Sequence, residues 1–242
     1  MKQYEAVIQT LERLGGQATL AELYREVMTL EDCEWKSKTP FASIRRVVQV
    51  RPEIFKVRPG LWALRSYEDK LGLVEHGTKH QPTQELLEQN HSYYQGLLVI
   101  IGNLRGLGTF VPNQDKNKRF VTTPLMDLRS LQELPLFSHP QLVKRSSTVD
   151  VTWFNVRQMP DSFFEVEHST DVQNSLLKFY DLQDFHARMV IVADDKRRAE
   201  FEEKRLRGAL DAIKDRVNFL GYDMLAKQYE FEMLKSTRGF AL

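Results

Sequence analysis

The most constraining feature of the chain is a pair of apolar segments that carry acids where strands normally carry none. STVDVTWFNV (147–156) and DSFFEVEHS (161–169) are rich in Val, Phe and Trp, and the turn residues Arg157–Pro160 separate them. Each reads as a strand, and their spacing reads as a hairpin. Helix and strand patterns then alternate: VQNSLLKFYDL as a helix, RMVIVAD as a buried strand, KRRAEFEEKRL as a charged helix, VNFLGY as a last strand and residues 223–235 as a final helix. Upstream, residues 91–105 predict a strongly apolar helix stopped by Gly106 and Gly108, and Thr109–Pro112 reads as a strand. Such alternation predicts a mixed sheet flanked by helices on both faces, an α/β (α+β) domain.

The first quarter of the chain follows a different plan. Ala6, Val7, Leu11 and Leu14 fall at helical spacing, and Gly15-Gly16 ends that helix. Thr19 and Glu22 form a capping-box pattern ahead of the stripe Leu20, Leu23, Val27 and Met28. Thr39-Pro40 opens a third helix on Phe41, Ile44, Val47 and Val48, leaving Ser43, Arg45, Arg46 and Gln49 on its other faces. IFKVRPGLWAL (54–64) alternates on both sides of Pro59-Gly60 and reads as a β-hairpin. Three helices and a hairpin are the winged-helix plan. At ~150 residues per domain, 242 residues allow two domains. The expected division is a winged helix over 1–66, a polar linker with some helix in it over 67–90 and the α/β domain over 91–242. Within the linker His76 and His80 stand four apart, as two zinc ligands on a helix would, but no second ligand pair follows.

Charge locates a candidate partner. The whole chain is only +1, so it has no bulk attraction for a polyanion, yet Trp35–Arg65 holds eight bases against the single acid Glu53, a local +7. Set on a third helix and its wing, that stripe suits phosphate contacts along a duplex with the helix in the major groove; a solvated face of an interaction module is the alternative. The expected DNA contacts are Lys38, Ser43, Arg45, Arg46, Gln49, Lys56 and Arg58. The wording of YEAVIQTLERLGGQATLAELYREV, KTPFASIRRVV and PEIFKVRPGLWAL, across residues 4–65, resembles the HARE-HTH winged-helix family of DNA-modifying and chromatin-linked proteins. That resemblance implies duplex DNA as partner and raises sensitivity to base modification.

Other function classes fall away. Hydrophobic residues at 42% and charged ones at 28% are ordinary globular usage. The single Cys33 can form neither an internal disulfide nor a thiolate cage. The longest apolar run, GLLVIIG at 96–102, is far short of the ~18 residues a membrane span needs. The first residues read as an amphipathic helix rather than an export signal, so a cytoplasmic protein is expected.

Side chains alternate across a strand, so Glu165 and Glu167 project to one face and Val166 to the other. A hairpin closing near Arg157–Pro160 brings Asp150, at the start of the preceding strand, alongside them. Three carboxylates packed together repel unless a cation neutralises them, and hard oxygen ligands favour Mg2+, with Mn2+ as a substitute. Such a cation serves phosphodiester hydrolysis. The alternative is an acidic solvated strand face, weakened by the buried character of Val149, Val151, Trp153, Phe163, Phe164 and Val166 around it.

TVDVTWFN, FFEVEHST, SLLKFYDL and MVIVADDKRRAEF resemble the PD-(D/E)XK, or restriction-endonuclease-like, superfamily, and HSYYQGLLVIIGNLRGLGTFVPNQD matches the first helix and strand of one group within it. The likeness covers about residues 91–230. It implies a metal held by Asp150, Glu165 and the carbonyl of Val166, with Asp150, Glu165 and Glu167 as the catalytic trio. Glu167 stands where the superfamily usually has lysine, and it can act only as a further ligand or a base. Lys144 shares the strand parity of Asp150, but six residues of extended chain put it roughly 20 Å away. Tyr94 and Gln95 match positions flanking the site in that group, or are plain packing. Asp115, ahead of Lys116, Lys118 and Arg119, marks either the mouth of a cleft, with Lys116 on DNA, or an ordinary turn. His168 has the opposite parity to Glu167 and suits an ordering role, while Ser169 returns to the carboxylate face.

The expectation is therefore a Mg2+-dependent, site-specific endonuclease of double-stranded DNA, in which a homodimer would supply two active sites for double-strand scission. The alternatives are a DNA-binding regulator with an inert nuclease fold, prompted by the missing lysine, and a structure-specific repair nuclease.

Overall fold

A computed structural model describes residues 1–33, 35, 38–71, 84–168 and 171–237. Lys36, His76, His80 and Ser169 lie outside the described residues. The chain divides into two compact units: Met1–Gln81 together with the residues from Met233 onward, and Pro82–Glu232.

In the first unit the expected order is present, with α1 (Gln3–Arg13), α2 (Leu20–Val27) and α3 (Pro40–Val50) followed by the hairpin β2 (Ile54–Arg58) and β3 (Leu61–Leu64). The capping box closes at α2: Glu22 N donates to Thr19 Oγ1 at 3.2 Å, and Thr19 N donates to Glu22 Oε2 at 2.7 Å. One strand was not expected. Gln17–Thr19 forms β1 and pairs antiparallel with β3, giving the sheet order β1-β3-β2. Three residues between a helix stop and a cap are too short to show a period. Gly16 makes that entry possible, because its φ is +91° and a Cβ there would lie 2.2 Å from the Tyr67 ring. Leu11, Leu23, Ile44, Val48, Ile54 and Leu64 meet in the core.

The second unit is built on a mixed five-stranded sheet of order β10-β9-β8-β7-β4: β4 (Gly108–Phe110), β7 (Val151–Phe154), β8 (Pro160–Glu167), β9 (Arg188–Ala193) and β10 (Val217–Gly221). β8 runs antiparallel to β7 and parallel to β9. α7 (Val172–Asp181) and α8 (Arg198–Arg205) cover one face, packing Leu176, Phe179 and Phe201 onto Phe163, Met189 and Ile191. α4 (Gln84–Leu104) crosses the other face, where Trp153 Nε1 donates to Leu98 O at 3.1 Å. α9 (Tyr222–Thr237) follows β10, and Tyr222 stacks on Tyr94 of α4 with ring centroids 3.6 Å apart. Between β4 and β7 lie the two-residue strands β5 (Arg119–Phe120) and β6 (Thr123–Pro124) and the short helices α5 (Leu125–Leu128) and α6 (Pro140–Ser146).

Two expectations are corrected. The helix expected from residue 91 begins at Gln84, so the helix allowed for in the linker is continuous with it, because Gln, Glu and Leu favour helix even where polarity hides the apolar period. Lys144 lies in the last turn of α6, so the extended-strand reasoning applied to it does not hold. Among the described residues, no helix is long and apolar enough to cross a membrane.

The approach of α4 to the sheet is close enough to test. A Cβ at Gly102 would lie 2.5 Å from Thr109 Cγ2 and 2.6 Å from Trp153 Nε1. Gly102→Ala is expected to cost about 1–3 kcal/mol through overpacking, measured by denaturant unfolding. An unchanged midpoint would contradict this packing.

Candidate active site

The strand register creates the site. Val151↔Phe164 is the last β7–β8 pair towards the C-terminal end of β8, whereas Glu165, Val166 and Glu167 remain paired with Ile191, Val192 and Ala193 of β9. The end of β8 therefore has one edge bonded to β9 and the other open, and Asp150 sits at that open edge, immediately ahead of β7. Its Oδ2 accepts the Val166 N–H at 2.7 Å. Because N–H and C=O of one strand residue point to the same edge, the Val166 carbonyl faces the Asp150 side as well. Asp150, Glu165, Val166 and Glu167 are thus brought together, and all four are buried.

Glu165 and Glu167 face α7, where two residues that the sequence reading did not single out receive them. Lys178 Nζ lies 2.8 Å and 3.0 Å from the Glu165 oxygens and donates also to Thr148 O at 3.0 Å. Ser175 Oγ contacts Glu165 Oε2 at 2.8 Å and makes a short contact to Glu167 Oε1. A hydroxyl has one proton, so both contacts are hydrogen bonds only when one carboxyl carries a proton of its own. Burial and the charge of Asp150 push Glu165 well above the usual carboxylate range despite Lys178. Burial also opposes Asp150, but His91, Lys178 and the Val166 N–H outweigh it and hold Asp150 below its ordinary value. Burial weakens Lys178 as a cation, yet Glu165 and Asp150 prevail and raise it. Glu165 and Asp150 thus favour the ammonium form of Lys178. Its signal in the sequence was a polar pair, Ser175 and Lys178, at i, i+3 on a helix whose neighbouring positions Val172, Leu176 and Phe179 are core.

On the other side of Asp150, α4 supplies His91 and Gln95. His91 Nε2 is 3.5 Å from Asp150 Oδ2; burial lowers the imidazole, but Asp150 more than compensates and raises it. Gln95 is fully buried and donates from Nε2 to Asp115 Oδ2 at 2.9 Å and to Asp150 O at 3.1 Å. Asp115 lies in a turn, as one reading had it, but its carboxylate is buried and also pairs with Lys118 at 2.7 Å. One ligand atom from each of His91, Asp115 and Asp150 falls within 4.8 Å of the others, a grouping able to hold a metal ion. Glu167 has Arg197 Nη1 at 3.9 Å. His168 bridges Asn90 and Tyr222 at 3.3 Å each, and Tyr222 donates to Glu167 O at 3.0 Å. Lys116 is half-buried.

The residues expected on DNA are in the first unit, apart from Lys116. Lys38, Arg45, Arg46 and Gln49 are exposed at or on α3, and Ser43 is half-buried there. Arg45 Nε also donates to Tyr24 OH at 3.2 Å. Lys56 is exposed and Arg58 half-buried on β2. Two further bases of the +7 stretch serve the scaffold: Arg51 stacks 3.5 Å from the Tyr4 ring centroid, and Arg65 donates to Pro52 O at 2.8 Å.

Comparison with known proteins adds one finding. Residues 73–240 match the family described as the Type II restriction enzyme NmeDI C-terminal domain. No curated protein and no solved structure matches the chain significantly.

Proposed function

The chain belongs to the family of the Type II restriction enzyme NmeDI C-terminal domain, and from that premise we propose that it is a Mg2+-dependent endonuclease that cuts double-stranded DNA at specific sites. The observation that carries this reading is the open edge of β8, where Asp150 and Glu165 are buried together and Lys178 reaches Glu165 from α7. The acids fit a divalent cation by their donor chemistry, since Asp150 and Glu165 are two buried carboxylates and Lys178 is the ammonium bonded to Glu165. Asp150, Glu165 and the Val166 carbonyl are the residues that would hold the ion; an all-oxygen set suits Mg2+, and Mn2+ can substitute. A divalent cation bound there supplies Lewis acidity at the scissile phosphate and acidity to an attacking water.

The protein's own groups supply the rest. Lys178, kept protonated, occupies the role left open by Glu167: it neutralises charge developing on the phosphate. Glu167, tied to Ser175 and near Arg197, orders the end of the strand rather than serving as the base. Winged-helix residues Arg46 and Gln49 meet the duplex, with Lys38, Ser43, Arg45, Lys56 and Arg58 flanking them and Lys116 contacting the backbone near the cut. Arg46→Ala is expected to weaken binding to every duplex several-fold and to flatten the salt slope by about one; an unchanged slope in fluorescence anisotropy removes Arg46 from the interface. A protein of this kind works in the cytoplasm, and cutting both strands calls for two copies.

The test is incubation of the purified protein with unmodified and cytosine-methylated plasmid DNA, in Mg2+ or EDTA. Discrete metal-dependent fragments are expected, and the substrate on which they form reads out sensitivity to modification. Binding with a steep salt dependence but no cutting in Mg2+ or Mn2+ would establish instead the inert regulator that Glu167 in the lysine position suggests.

A further inference from the structure

We propose that His91, Asp115 and Asp150 form a second divalent-cation site, distinct in chemistry from the all-oxygen set and joined to it through the shared Asp150 carboxylate. The proposal rests on the nuclease reading for its first site but on separate residues for its second. Ligand atoms from these three side chains lie within 4.8 Å of one another, although they come from α4, the turn after β4 and the residue before β7.

An independent observation points to a ligand there. Gln95 is fully buried, and its Nε2 is used by Asp115 Oδ2 and Asp150 O. Its Oε1 is buried as well and has no hydrogen-bond partner among the described residues. The amide cannot simply be reversed, because both neighbours of Nε2 are acceptors and exchange would set oxygen against oxygen. An orphaned buried acceptor is costly. The Gln95 amide already bonds two members of the cluster, the Asp115 carboxylate and the Asp150 backbone, so an ion held there, or water carried on it, can supply the partner that its oxygen lacks. Three cationic or donor groups now occupy the carboxylates: Lys118 on Asp115 Oδ1 at 2.7 Å, His91 at 3.5 Å from Asp150 Oδ2, and the Val166 N–H on that same oxygen. Lys118 is one-third exposed and can swing into solvent when an ion takes its place.

The ligand set selects the ion. Imidazole suits transition metals, whereas Mg2+ and Ca2+ favour oxygen alone, so the second site should take Mn2+ in preference to Mg2+. Asp150 then belongs to both sites, the arrangement of paired-metal phosphodiesterases.

The experiment titrates the full chain with Mn2+ and counts bound ions by the loss of the free-ion EPR signal. The result expected is two ions per chain, with nitrogen hyperfine coupling from one of them. His91→Asn should remove that coupling and weaken one site at least tenfold. Glu165→Gln should weaken the other and leave the coupling intact. Absence of nitrogen coupling in the wild-type protein overturns the proposal without recourse to any variant, as does coupling that survives in folded His91→Asn. If a single nitrogen-coupled ion binds and Glu165→Gln leaves it unchanged, the His91 site stands and the all-oxygen site of the nuclease reading fails.

Discussion

Asp150→Asn is expected to lower Mg2+-dependent cleavage about a thousandfold, roughly 4 kcal/mol of transition-state stabilisation, while duplex binding stays within about twofold. Asp150 is held below its ordinary value by His91, Lys178 and the Val166 N–H, and it sits where the Val166 amide and His91 converge. Asn keeps an oxygen to accept the Val166 N–H, so the edge of the strand retains its geometry while the charge that binds a cation is lost. Single-turnover cleavage and anisotropy on one oligonucleotide separate the two effects. Wild-type cutting by this variant would falsify the assignment of the site.

Lys178→Met is expected to reduce cleavage about a hundredfold, the scale on which removal of one electrostatic contact acts, whereas Glu167→Gln should cost less than about fivefold. Met retains the apolar stem of lysine, so the packing of α7 is disturbed little. The pH profile distinguishes a role in chemistry from one in structure. Lys178 lowers the Glu165 carboxyl against burial and Asp150, so without it Glu165 rises further and a smaller fraction is ionised at a given pH. The acidic limb of the rate profile should therefore move to higher pH in Lys178→Met, with the plateau still depressed. Lys178→Arg, which keeps the charge, should restore part of the rate. The reverse ranking, with Glu167→Gln inactive and Lys178→Met near normal, would return the role to the strand.

Much of this was legible in the sequence because it is periodic. The β7–β8 hairpin, the three N-terminal helices and the capping box at Thr19 each repeat a local rule within about ten residues, and each is present. The short elements β5, β6, α5 and α6 were not, since two to seven residues hold no usable period. The site divides in the same way. Asp150, Glu165 and Glu167 could be placed together from strand parity and one turn. Lys178 could not, because the side chain that pairs with Glu165 comes from the next helix, thirteen residues on. His91 stands on a helix so apolar that its polarity resembles incidental packing, and Gln95 on that helix was marked only through the family resemblance; the fold sets them against Asp150 and Asp115.

The division of the chain limits how it can be rearranged. The first unit takes in Met1–Gln81 and, at the far end, the last residues of α9 from Met233; Leu234 packs on the core that holds Leu11, Leu23 and Ile44. The two units are therefore not separable by a single cut in the chain. A fragment ending near residue 81 leaves that core without Leu234. Exchange of the first unit between relatives, by recombination or by design, requires two crossovers, one near residue 81 and one near residue 232.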